Sequence, residues 1–239
     1  MFGLAPRQVS LDGSVLLVRS PIPIVVTPGG LIPAAVFSLL FAVFSGLSTP
    51  AALAGFAVLG GVGGVVSLIV HELGHVSIAR KLSGVQPQKI TLISLGAATH
   101  LTGSYRSGRD QARMAIGGPQ ASLAFALALA LPVFLPAPMW LRLGALALAL
   151  LNVLIAVLSL LPVHPLDGHK LIVGLVWWMV GSEARARRIV RRIGISLLAV
   201  DVSAVVLIAV ERPLLGVTVA ALAAVAFAQK RFVGRTPRV

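Results

Sequence analysis

From Ser20 to Val70 the chain carries no Lys, Arg, Asp or Glu. A soluble domain cannot leave so long a run uncharged, because its surface needs charges spaced among the apolar residues. The run is long enough for two crossings of a hydrocarbon layer about 30 Å thick, each needing about 20 residues. Inside lipid every backbone N–H and C=O must be satisfied internally, so such crossings have to be helices. The rest of the chain agrees: 57% of residues are hydrophobic and 11% charged, against about 25% charged in ordinary soluble chains.

The apolar runs predict an all-α polytopic membrane protein with about six transmembrane helices, placed at 31–47, 51–81, 111–134, 141–161, 193–210 and 214–228. The whole chain, 1–239, is expected to form one intramembrane domain. An extended segment 1–30 precedes the spans over 31–228, and a basic tail 229–239 follows them. The first twenty residues do not read as a signal peptide, since Arg7, Asp12 and Arg19 interrupt them and no continuous apolar core precedes a cleavage site. Residues 15–18 and 22–26 read as short extended pieces broken by Pro21 and Pro23. In the second span Gly60, Gly61, Gly63 and Gly64 weaken the helix but let a neighbouring helix come close. Residues 89–101 are β-prone around Gly96 and predict a hairpin. Lipid does not tolerate open strand edges, so this hairpin belongs at the membrane surface or against a polar cavity.

The second span ends in His71-Glu72-Leu73-Gly74-His75. Residues four apart share one helix face, so His71 and His75 can grip one metal ion with Glu72 beside them as a general base. Ionisable groups at that depth are expensive and point to function. The chain has no cysteine, which removes thiolate ligands, disulfides and a cysteine nucleophile. A catalytic zinc site has three protein ligands and one open position, so a third donor must come from elsewhere. The chain has seven acidic residues. Of these, Asp167 lies just past the fourth span, at the same end as the histidines, after Pro162 and Pro165 break the helix. A zinc ion held there would acidify a water molecule, with Glu72 taking its proton.

The formal net charge is +13. The basic residues gather between the apolar runs, as topology signals do, so no nucleic-acid partner is expected. With the N-terminus in the cytoplasm, only Arg142 and Arg212 of the 20 Lys and Arg fall outside. The positive-inside rule therefore puts both termini in the cytoplasm of a multi-pass cell-membrane protein. The metal would lie roughly 8–14 Å below the cytoplasmic interface.

The HELGH run, followed by Leu160-Leu161-Pro162-Val163-His164-Pro165-Leu166-Asp167-Gly168, resembles the site-2 protease family of intramembrane zinc metalloproteases. That resemblance implies His71, His75 and Asp167 as ligands of one zinc ion per chain and Glu72 as the catalytic base. It also implies substrate contacts at Gly118 and Pro119, within Gly117-Gly118-Pro119, and at Asn152 of the fourth span. Ser159, expected as a further substrate contact, stands where the family often has asparagine before Leu-Leu-Pro. Residues 89–101 match the family's membrane-associated hairpin, whose Thr91 and Ile93 are expected to lie along a substrate-pairing edge. No PDZ or CBS domain fits the length, so a bare catalytic core is expected. The implied partners are the lipid bilayer and a single-span transmembrane substrate, such as a membrane-bound regulator of the anti-sigma type. The alternative is a catalytically weak adaptor that only binds transmembrane segments; the intact quartet of His71, Glu72, His75 and Asp167 weighs against it. Apart from the resemblance, His164 and His169 read as interfacial polar residues, Asp201 as a buried structural acid, and the arginines at 185–192 as a topology determinant.

Overall fold

In the computed structural model, residues 14–18, 22–44, 46, 49–94 and 96–193 are described. Strands β1 (Val15–Val18) and β2 (Ile24–Val26) lead through a 3-10 turn at Pro28–Leu31 into helix α1 (Ile32–Phe44). Helix α2 (Pro50–Ala79), strands β3 (Val85–Ile93) and β4 (Gly96–Gly103), and helices α3 (Gly108–Phe134), α4 (Met139–Ser159) and α5 (Asp167–Val180) follow. Residues up to Ala186 make one compact unit; a second begins at Arg187, of which 187–193 are described. The two spans expected at 193–210 and 214–228, and Asp201, lie almost wholly outside the described residues.

Among the described residues, three helices are long and apolar enough to cross a membrane: α2 with 30 residues, α3 with 27 and α4 with 21. At 1.5 Å per residue the shortest is about 32 Å long, enough for the hydrocarbon layer. Their outer faces carry exposed apolar side chains such as Val58, Val62, Leu127, Leu131 and Leu150, which suits lipid and would be costly in water. For the four expected spans within the described residues the boundaries hold to within about three residues, but α1, with 13 residues, is too short to cross the hydrocarbon layer as one helix. The fold is that of a mostly helical membrane protein with a small sheet.

Small residues set the helix spacing. A side chain at Gly60 or Gly64 would run into Phe37 or Phe41 of α1, and one at Gly63 into Leu148 of α4. On the next turns of α2, Gly74 lies against the Gly117 carbonyl and Ala121 of α3, and Gly117 against the Gly74 carbonyl. There the two backbones touch with no side chain between them. A fully buried Asn152 on α4 adds a polar tie: its Nδ2 donates to Ser67 Oγ of α2 at 2.8 Å, and Ser67 Oγ donates to the Gly63 carbonyl at 2.8 Å.

The expected hairpin is there, but as half of a four-stranded sheet in the order β1-β2-β3-β4. Strand β2 runs parallel to β3, with Ile24, Val25 and Val26 opposite Ile90, Thr91 and Leu92. The other two pairings are antiparallel. Two apolar clusters join sheet to helices: Ile22, Ile24, Ile90 and Val76, and Val85, Ala79 and Met114. This corrects the expectation for Thr91 and Ile93. Thr91 is bonded into the sheet on both sides, opposite Val25 and Ala98, and is buried. Ile93 pairs with Gly96 on a strand that is interior to the sheet. Among the described residues the free edges belong to β1 and β4.

The Asn152–Ser67 bond holds α4 against the helix that carries the histidines. Replacing Asn152 by Ala is expected to lower stability by about 0.6–1.7 kcal/mol, the range of interhelical hydrogen bonds in membranes. Thermal unfolding in detergent is the measurement, and an unchanged melting temperature would remove the tie from the account.

Candidate metal centre

The last turns of α2 place His71, Glu72 and His75 at the foot of the bundle, and α5 starts at Asp167 beside them. Two prolines between α4 and α5 prevent one continuous helix, and the chain turns so that Asp167 occupies the first position of α5. All four residues are only 5–7% exposed, so whatever they hold is shielded from bulk water. One carboxylate oxygen, Asp167 Oδ2, lies 3.2 Å from His71 Nε2 and 3.0 Å from His75 Nε2. The second oxygen, Oδ1, accepts from Lys170 Nζ at 2.9 Å.

Hydrogen bonding behind the rings decides what this cluster suits. His75 Nδ1 lies 2.8 Å from the Met114 carbonyl oxygen. A carbonyl can only accept, so Nδ1 carries the hydrogen, and in neutral imidazole Nε2 is then a bare acceptor. It faces the Asp167 carboxylate oxygen, another acceptor. Two acceptors 3.0 Å apart need a proton or a metal ion between them. His71 Nδ1 is held in the same way, 2.9 Å from the buried Ser122 Oγ, which turns its Nε2 towards the same point. Ligands about 2.0–2.1 Å from a tetrahedral zinc stand about 3.3 Å from one another, close to the spacing of these three atoms. Partners that fix ring orientation from behind are typical of metal-binding histidines.

Gly118 completes the cradle. A Cβ at this position would collide with His71 Nε2 and His75 Nε2 together, so its hydrogen leaves the room an ion needs. Next to it Pro119 cannot donate to the Ala115 carbonyl, which loosens the turn of α3 that also holds Met114. His71, Glu72 and His75 present ligand atoms within 4.8 Å of one another. Glu72, however, is engaged elsewhere: its Oε2 accepts from Thr99 Oγ1 of β4 at 2.6 Å. The donor set of His71, His75 and Asp167 fits one zinc ion, with Asp167 Oδ2 within 3.2 Å of both imidazoles and Glu72 committed to the sheet.

The remaining expected contacts divide. Gly118 borders the histidines, and Pro119 is buried next to it in α3. Asn152 does not reach an open cleft; it is 0% exposed and spends its donors on Ser67 and Leu148. Ser159 closes on its own helix, donating to the Ala156 carbonyl at 2.9 Å. His164 and His169 meet edge to face, with ring centroids 5.4 Å apart, outside the cluster. Sequence reasoning missed Met114, Ser122, Lys170 and Thr99.

With this geometry in hand, known proteins offer a test. The chain is 35% identical over 140 residues to Rip3 of Mycobacterium tuberculosis and 30% identical over 131 residues to sll0528 of Synechocystis sp., each named "Putative zinc metalloprotease". The matches cover 53% and 54% of this chain. The fold superposes on the site-2 protease from Methanocaldococcus jannaschii with a TM-score of 0.54 at 21% identity, over 86% of this chain and 89% of that one. The chain shares the fold of that site-2 protease. The aligned stretch spans 34% of the length of the curated relatives it matches. No family model matches the chain.

One zinc per chain is expected in the purified protein, and its loss in His71→Ala, His75→Ala and Asp167→Ala. Gly118→Ala provides a sharper test: the added methyl group should remove zinc although it deletes no donor. Elemental analysis of folded, monodisperse protein decides, and full occupancy in Gly118→Ala would contradict the cradle.

Proposed function

We propose that this chain is a zinc-dependent intramembrane endopeptidase that cleaves transmembrane segments of single-span proteins near the cytoplasmic face. The observation that carries the reading is the meeting of Asp167 Oδ2 with both imidazole Nε2 atoms, beside a carboxylate that is not part of that meeting. His71, His75 and Asp167 are the ligands. When bound, zinc supplies Lewis acidity that polarises a carbonyl and makes water acidic.

This chain's own groups do the rest. Glu72 takes the proton from the attacking water and returns it to the leaving amine, which lets one group serve as base and then acid. Met114 and Ser122 keep the rings from swinging, and Lys170 holds the outer oxygen of Asp167 so that Oδ2 stays inward. A helical substrate hides its carbonyls in internal bonds and must unwind to be cut. Strand β4, a free edge among the described residues whose Thr99 bonds Glu72, is the natural place for the unwound segment to pair, replacing the bonds it loses. Pairing at β4 takes over the role expected of Thr91 and Ile93. The substrate class is membrane-bound regulators, of which anti-sigma factors are one kind, and both termini lie in the cytoplasm.

Glu72→Gln should retain zinc and fold and lose turnover, because the base is not a ligand. Metal analysis beside a cleavage assay in liposomes checks this; hydrolysis at the wild-type rate would remove Glu72 from the chemistry. Reporter fusions at the C-terminus and after Arg188 should report cytoplasm, and one near Arg212 the opposite side. A C-terminus outside the cytoplasm would overturn the topology.

A further inference from the structure

Strand β4 turns Ala97, Thr99 and Leu101 to one face, by the two-residue alternation of a strand. Ala97 packs on the cluster of Ile22, Ile24, Val76 and Ile90, and Leu101 on that of Ala79, Val85 and Met114. This is the face against α2. Thr99 is the one polar residue of the three, and it sits between the two apolar contacts. Its hydroxyl is 2.6 Å from Glu72 Oε2 and 3.3 Å from the Glu72 carbonyl oxygen. A neutral hydroxyl 2.6 Å from a carboxylate is a short, charge-assisted bond. Valine would fill the same volume on this face without a polar group to satisfy, so packing alone does not call for threonine here.

We propose that Thr99 is a positioning residue that fixes the Glu72 carboxylate from the sheet; the inference rests on the endopeptidase reading above. Thr99 donates to Oε2, which leaves Oε1 to accept from the attacking water. Threonine is stiff at χ1, so the hydroxyl follows the β4 backbone. Among the described residues that backbone is one of the two free edges of the sheet. The placement of the base therefore depends on the same strand that offers its bonds to an extended substrate, and a strand displaced from α2 takes the hydroxyl away from Glu72.

The test compares wild type, Thr99→Val, Thr99→Ser and Glu72→Gln as full-length protein in liposomes. Cleavage is followed on a fluorescent synthetic single-span peptide carrying helix-weakening glycines. Zinc content and the affinity of a small hydroxamate, which a well-placed carboxylate must accept, are measured beside it. Thr99→Val should keep its zinc and its KM while kcat falls about 10- to 100-fold, the scale of a misplaced catalytic group. Hydroxamate binding should weaken in parallel, and Thr99→Ser should recover most of both. Wild-type kcat and hydroxamate affinity in Thr99→Val would overturn the inference while leaving the endopeptidase reading intact. So would a serine variant as impaired as the valine one, since that would trace the effect to the lost methyl group. Undiminished cleavage by Glu72→Gln would instead remove the base itself, and the role of Thr99 with it.

Discussion

The metal centre depends on two helix backbones touching. His71 and His75 lie on α2, and the groups that orient their rings, Met114 and Ser122, lie on α3. Those hydrogen bonds are about as long as any side-chain bond, so the two helices must be held at one separation. Gly74 against Gly117 sets it. Lipid gives helices no hydrophobic reason to associate, and small residues at the crossing supply close packing in its place. Gly74 thus belongs to the site as much as the histidines do, although it touches no ion.

A second constraint is that a polar centre has to be reachable from water and yet sit low in an apolar bundle. Helices alone cannot provide this, since their backbones are closed to partners. The sheet packs against the last turns of α2 through Val76 and Ala79 and brings β4, an edge strand among the described residues, to Glu72. Such an edge is tolerated where it faces a cavity or the interface. The break between α4 and α5 does similar work on the other side: it supplies an acid from a helix start, where a carboxylate is favoured by the helix dipole.

What could be read from the sequence was whatever is local or carried by charge. The His71–His75 spacing, the charge-free run, the prolines before Asp167 and the β-prone segment around Gly96 all keep their meaning in the structure. Pairings between distant segments left no local trace. Strand β2 finds β3 across both α1 and α2, so a hairpin was visible and its burial between two neighbours was not. Asn152 reads as a site residue because it matches an asparagine of the family's fourth span; its partner Ser67 is 85 positions away. Thr99 was legible in principle, since Ala97, Thr99 and Leu101 alternate with one polar member, but a threonine in a strand is ordinary until its neighbour is known.

The wide separation of the donors has a consequence for biosynthesis. His71 and Asp167 are 96 positions apart, with α3 and α4 between them. A nascent chain that has delivered α2 to the membrane holds two imidazoles and a carboxylate side by side, but not the oxygen that joins the imidazoles. It also lacks the Met114 and Ser122 supports until α3 is packed. On the proposed ligand set, metal uptake is thereby tied to insertion as far as α5: a chain that stops short of Asp167 lacks the oxygen that joins the two imidazoles.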